Sequence, residues 1–238
     1  MRLCVIGNSH VGALKDAVGV IEGLTKVSSV TFFAKAQQGM RELLVDKESD
    51  ALVAGSETLQ KSLILTSGGQ SEIRVSDFDC FLLYGLDFNA YFKPNRIISS
   101  QLEESQRIDW FTTTTMNYVL SLLRLLTNKK IFLGHTPMVA SGSQSSGEGE
   151  IDSSYLSNLE LIESDILKRY HSVSVVGQPL TTICQGRKTK SDYSRGSIRM
   201  ETGHKLDGTP HPEEDISHMN KVYGELWWKN FTTFVGCL

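Results

Sequence analysis

Apolar residues along the chain recur in two rhythms, and the alternation of the two predicts the fold. Residues 2 to 6 (RLCVI) form a short continuous apolar run that stops at Gly7; from Val11 the spacing turns helical, with Ala13, Leu14, Ala17, Val18 and Ile21 on one side. Strand, turn, helix is the implied order. Four further runs have the length and continuity of parallel strands covered on both faces: residues 28 to 34 (SSVTFFA), 79 to 84 (DCFLLY), 130 to 133 (KIFL) and Val173 to Val176. Helical spacing intervenes at about 109 to 126, through Met116, Val119, Leu120, Leu122, Leu123 and Leu126, and at about 152 to 170, through Leu156, Leu159, Ile162, Ile166 and Leu167. A last helix is expected from about 218 to 231. Strands alternating with helices imply right-handed crossovers and therefore one three-layer α/β/α domain over 1–238, with a flavodoxin-like, mostly parallel five-stranded sheet. Chemistry in such sheets lies beyond the carboxyl ends of the strands.

Three segments interrupt the rhythm and read as insertions near 46–76, 88–108 and 177–214. In the first, SLILTSGGQSEIRV reads as a hairpin turning at Ser67, Gly68 and Gly69. The polar, glycine-rich stretch from Ser141 to Glu150 reads as a loop, because the alternation continues on both sides of it. No internal repeat is present. Trp227 and Trp228, next to Tyr223, are expected to divide between core and surface at helical spacing.

Charge and cysteine usage narrow the function. A formal net charge of -3 and a pI near 6.1 provide no basic field for gathering phosphates, so nucleic acid is not expected as a partner. Cys4, Cys80, Cys184 and Cys237 contain no CxxC pair and read as reduced core thiols. The chain enters its first strand without a basic leader, and no apolar run approaches the roughly 18 to 20 residues of a membrane span, so a cytoplasmic protein with no membrane partner is expected. The oligomeric state is not legible.

Two short segments carry chemistry. Gly7-Asn8-Ser9-His10 puts a serine where the chain leaves the first strand and starts a helix, with its hydroxyl toward the crevice and helix-start N–H groups able to receive negative charge. The plainer role of Asn8 and Ser9 is helix capping. At the other end, Asp215 stands three residues before His218, so its carboxylate can fix the imidazole tautomer while the other ring nitrogen takes a proton from Ser9. Here too an N-cap and a surface histidine are the plain alternative.

Taken together, the segments resemble the SGNH (GDSL-like) hydrolase family, whose blocks occur in order along nearly the whole chain. GNSH at 7 to 10 is similar to the first block, with Asn8 where Asp is usual, and puts the nucleophile on Ser9. Gly39 matches the lone glycine of the second block, whose N–H joins the oxyanion hole with that of Ser9. Gly85-Leu86-Asp87 stands where the family has glycine, any residue, asparagine; Asp87 departs from that pattern, and Asn89 follows two residues on. Asp215 and His218 carry the terminal DxxH block unchanged. The resemblance implies a serine ester hydrolase that works through an acyl-enzyme without a cofactor. Its substrate is expected to be a short acyl ester on a carbohydrate or other polar alcohol, anionic substrates included.

Other readings are weaker. Gly7 to Gly12 has P-loop glycine spacing, but Ala13 and Leu14 stand where Lys and Ser or Thr are needed, and GxGxxG is absent. His204, Asp207, His211, Glu213, Glu214, Asp215 and His218 are dense in ligand types but lack HExxH or Cys/His spacing, so no metal is expected. His135, at the end of the fourth strand, points toward the crevice and joins Asn8 and His10 as a substrate-binding candidate. Arg187, Lys188, Lys190, Arg195 and Arg199 form a basic cluster within 177–214; Arg187 and Lys188 are its substrate-binding candidates, against the alternative of a solvated face. Two other classes stand beside the hydrolase: an acyltransferase using the same triad, and a non-catalytic binding protein that keeps the fold.

Overall fold

A computed structural model describes residues 1–24, 27–93, 99–141, 152–201 and 207–236. The strands are β1 (Arg2–Gly7), β2 (Ser29–Ala34), β3 (Leu43–Asp46), β4 (Ala51–Ala54), β5 (Glu72–Arg74), β6 (Cys80–Tyr84), β7 (Ile131–Gly134), β8 (Val173–Val176), β9 (Ile183–Cys184) and β10 (Lys188–Thr189). The helices are α1 (Gly12–Asp16), α2 (Val18–Leu24), α3 (Glu57–Ser67), α4 (Ser100–Thr113), α5 (Thr115–Arg124), α6 (Ser154–Leu167) and α7 (Lys221–Gly236).

The five expected strands form one parallel sheet in the order β2-β1-β6-β7-β8, which is the flavodoxin-like order of a doubly wound fold. Both faces are covered. On one, α3, α4, α5 and α6 contribute to a core with Ile6, Phe33, Leu83 and Leu133; on the other, α1, α2 and α7 enclose Val5, Leu82, Tyr84 and Phe132. The continuous apolar runs are the direct result, since successive side chains of a central strand point to opposite faces and both must be apolar.

The reading of 46–76 needs correction. The stretch expected as a hairpin is α3, followed by the short strand β5, and that strand closes an antiparallel three-stranded sheet, β3-β4-β5. Ser56 caps the helix by accepting from the Leu59 N–H, Leu59, Ser62, Leu63 and Thr66 form its buried face, and Gly68 ends it at φ +78°. The two glycines thus mark a helix stop. The helix expected at 109–126 is likewise two helices, broken at Thr114, whose hydroxyl accepts from the Asn117 N–H and caps α5. The glycine-rich segment 142–150, together with His204 and Cys237, lies outside the described residues; Cys4, Cys80 and Cys184 are buried and unbridged.

Trp227 and Trp228 do not divide between core and surface: both are buried, and the Trp228 indole donates to the Leu14 carbonyl at 2.8 Å. With Phe231 they seat α7 across α1. Gly224 allows the approach, because a Cβ there would lie 2.0 Å from the Ala13 carbonyl oxygen. Gly224→Ala is therefore expected to push the helices apart at a cost of about 1–3 kcal/mol, read as a lower thermal midpoint. An unchanged midpoint would refute this account of the packing.

Candidate active site

The site lies at the carboxyl edge of the sheet, where the strand order reverses between β1 and β6. Gly7 pairs with Ala34 on one side and Tyr84 on the other, so the turn holding Ser9 lies between the segments after β2 and after β6. Three motifs distant in sequence become neighbours for that reason. Asn8 is buried over Gly85: a Cβ at Gly85 would lie 2.4 Å from Asn8 Oδ1, and Gly85 also has φ +76°. Asn8 Oδ1 accepts from the His10 N–H at 3.2 Å, so this residue caps the turn that presents Ser9. It is not among the residues that line the neighbouring cleft.

His218 reaches Ser9 from the loop before α7. Asn220 fixes that loop: its amide donates to the carbonyls of Asp192 (2.8 Å) and Arg195 (2.9 Å), its N–H donates to the Tyr193 carbonyl, and its Oδ1 accepts from the Tyr223 N–H. The Ile216 carbonyl accepts from the Ala140 N–H at 2.7 Å. Within this frame His218 Nδ1–H donates to Asp215 Oδ2 at 2.8 Å, and the Ser9 hydroxyl donates to His218 Nε2 at 3.0 Å. Asp215 Oδ1 accepts from the backbone N–H groups of Ser217 (2.7 Å) and His218 (2.9 Å). Burial alone would raise the Asp215 carboxyl, but the donated hydrogen bonds outweigh it and hold it at about 2, so it is ionised across the physiological range. A permanently ionised acceptor on Nδ1 leaves Nε2 as the basic nitrogen facing the hydroxyl.

No protein-family model and no curated protein sequence matches the chain. Solved structures do. One is a Corynascus thermopiles (Myceliophthora fergusii) carbohydrate esterase family 2 enzyme with its carbohydrate-binding domain, at 11% identity and TM-score 0.42; the match covers 99% of this chain and 65% of that one. A carbohydrate acetylesterase family member from Sinorhizobium meliloti matches at 11% identity and TM-score 0.42, covering 100% of this chain and 98% of its own. A GDSL-like lipase from Bacteroides thetaiotaomicron matches at 9% identity and TM-score 0.41, covering 99% and 88%.

The remaining candidates fall into place unevenly. A cleft of about 380 Å³ is lined by His10, which follows Ser9 in the chain, by Asn89, Phe92, Thr136, Met138, Arg187 and their neighbours, and by Ser217, which precedes His218. Burial, and then the neighbouring His218, bring the His10 imidazole down to about 4, so it is neutral near pH 7. Arg187 stacks over the Phe92 ring at 4.4 Å and donates to Asp152 at 2.9 Å. Lys188 is exposed on β10 and is not part of the cleft wall, Arg195 pairs with Asp192, and Arg199 bonds Thr209 and the Pro210 carbonyl. The basic cluster is thus dispersed, because consecutive positions of a looping segment face different ways.

His135 is not on the cleft wall either. It is buried, with Nδ1 donating to the Thr136 carbonyl and Nε2 accepting from the Tyr155 hydroxyl, both at 2.6 Å, and burial lowers it to about 4. A histidine with both nitrogens committed inside the fold serves as a brace. Gly39 follows β2 as expected, but its N–H donates to the Ala36 carbonyl at 3.2 Å. Asp87 is turned from the serine's turn toward α5, where Oδ2 accepts from the Thr115 hydroxyl at 2.7 Å; that hydroxyl in turn accepts from Arg41 Nε. Gly85, Leu86 and Asp87 all have positive φ, and the Phe88 N–H donates to the Gly85 carbonyl, which makes a tight left-handed turn. Immediately beyond it the exposed Asn89 enters the cleft wall.

His211 was legible only as a member of a ligand-rich run. Its ring stacks on His218 with centroids 4.0 Å apart and planes 11° from parallel, and its Nδ1 lies 3.1 Å from Asp215 Oδ2. His211, Asp215 and His218 hold ligand atoms within 4.8 Å of one another. A metal shared by two nearly parallel stacked rings would lie well outside the plane of at least one, whereas an imidazole lone pair lies in its ring plane. The arrangement suits two N–H donors on one carboxylate. Asn220 had a sequence signal, as a capping residue just before the last apolar helix; the HxxxD spacing of His211 and Asp215 is the corresponding signal for His211.

Proposed function

We propose that the protein is a serine ester hydrolase of the SGNH type in which Ser9 is the nucleophile, His218 the general base and acid, and Asp215 the group that orients and charges the base. The Ser9–His218–Asp215 hydrogen-bonded line carries this reading. His218 Nε2 takes the Ser9 proton as Oγ attacks the ester carbonyl, and the imidazolium then returns that proton to the departing alkoxide, leaving acyl-Ser9 and free alcohol. Water, deprotonated by His218, attacks the acyl carbon; the acid leaves and Ser9 regains its proton. No cofactor enters the balance.

The oxyanion needs donors. The Ser9 N–H opens a helical turn and has no partner within it, and the Asn89 amide stands on the cleft wall. The Gly39 N–H joins them only by leaving the Ala36 carbonyl. The cleft supports a small acyl ester of a polar alcohol such as a sugar: Phe92, Pro137, Met138 and Val139 provide apolar walls, while Asn89, Thr136, Ser217 and Arg187 provide polar contacts. Of the basic cluster, Arg187 lines the cleft, which supports an anionic substituent on the substrate, and it shares its charge with Asp152.

A fluorophosphonate probe tests the reading directly. The intact protein is expected to gain one adduct, located at Ser9 by peptide mass, and to lose hydrolysis of p-nitrophenyl acetate or acetylated sugars in proportion. A folded protein that hydrolyses these esters while Ser9 stays unlabelled would require another nucleophile; one that neither reacts nor hydrolyses any ester would be a binding module.

A further inference from the structure

The Asp215 carboxylate receives more donors than a serine triad requires. Oδ1 holds two backbone N–H groups, and Oδ2 holds Nδ1 of both His218, at 2.8 Å, and His211, at 3.1 Å. The His211 ring covers a face of the His218 ring at 4.0 Å, and His10 lies against His218 as well, at 5.2 Å and 24°. We infer that His211 is a positioning residue for the base: it shares Asp215 with His218, limits the charge that carboxylate offers to the base, and holds the His218 ring in plane toward Ser9. This rests on the assignment of Ser9 and His218 proposed above.

The physical logic has two separable parts. A hydrogen bond donated to a carboxylate draws off part of its negative charge, and the base bonded to the same oxygen then holds a proton less tightly. A ring stacked on an imidazole removes one direction in which it can swing, and a neutral imidazole face tolerates the imidazolium formed when Ser9 is deprotonated. Both parts require His211 to be neutral in the working range. Burial, then the neighbouring His218, lower it to about 4, with Arg199 acting in the same direction and Asp215 against them. Among the described residues, the charged and titratable groups facing the pair are His10, Asp215 and Arg199.

Two substitutions divide the parts. Asn at 211 keeps a donor near the Nδ1 position and loses the ring; Phe keeps the ring and loses the donor. In His211→Phe the carboxylate is left more negative, the base loses its proton only at higher pH, and the acid limb of kcat/KM is expected to move up by roughly half a unit to one unit. In His211→Asn the limb should stay within roughly 0.2 units of the parent while kcat falls about 3- to 10-fold through the looser ring. KM should change less than twofold in either.

A purely structural His211 would lower thermal midpoint and kcat in both variants and leave both acid limbs in place; that result overturns the inference. A limb that moves equally in both variants overturns the donor role too. The parent reading fails separately, through retained turnover in Ser9→Ala, whatever the position-211 variants do. If neither variant folds, comparing fluorophosphonate labelling rate against pH for the parent and His211→Gln reads the same limb, and an unmoved limb there also rejects the donor role.

Discussion

Ser9→Ala is expected to lower kcat by at least roughly 10³-fold, and His218→Ala by a similar factor, because each removes the same step, creation of a serine alkoxide equivalent. Asp215→Ala should cost less than either, since His218 keeps its bond to Ser9 while losing tautomer control and the partner for its positive charge. The double variant of Ser9 and His218 should be little worse than either single change: once the nucleophile is gone, the base has nothing to activate. Steady-state kinetics on one ester substrate, with folding checked by circular dichroism, measures all four. Near-normal turnover by Ser9→Ala would end the serine mechanism. Independent, multiplying losses in the double variant would show that Ser9 and His218 do not act as a unit. EDTA should leave the rate unchanged; loss of activity restored by zinc would make His211, Asp215 and His218 a metal site in spite of their stacked geometry.

The second large effect is expected at the oxyanion. An ionised carboxylate has no proton to donate, and Asp87 is already bonded to the Thr115 hydroxyl. Asn89 lies two residues on, past a left-handed turn, on the wall of the cleft. Asn89→Ala is therefore expected to reduce kcat by roughly 10²-fold, the usual cost of losing one oxyanion donor, with a small change in KM. Asp87→Ala should affect stability more than chemistry, since it breaks the link through Thr115 to Arg41 and loosens the turn. Kinetics at fixed pH on both variants decides the matter. If Asp87→Asn raises turnover strongly while Asn89→Ala is silent, the donor assignment is wrong. If both changes are silent with Ser9 still essential, the oxyanion is held by backbone N–H groups alone.

The order of elements and the sheet itself were legible because a buried parallel strand and an amphipathic helix impose different apolar periods, and β1, β2, β6, β7 and β8 all carry the first of these plainly. The Ser9 and Asp87 segments were linked in the sequence only as blocks of the resembling family; the pairing of β1 with β6, whose carboxyl-end turns meet, is what brings them together. The excursion at 46–76 was misread because Gly68 and Gly69 serve equally to turn a hairpin and to end a helix; the buried face through Leu59, Leu63 and Thr66 decided it. Tertiary structure alone determined which polar groups were spent. His135, Asp87 and Gly39 look available as residue types, yet their hydrogen bonds go to Tyr155 and Thr136, to Thr115, and to the Ala36 carbonyl respectively. It also seated His211 on His218, where their shared carboxylate lies. Periodicity records which faces must leave water, and that is a property of the local chain; a hydrogen bond has one donor and one acceptor to satisfy, and its partner is chosen only when distant segments are packed together.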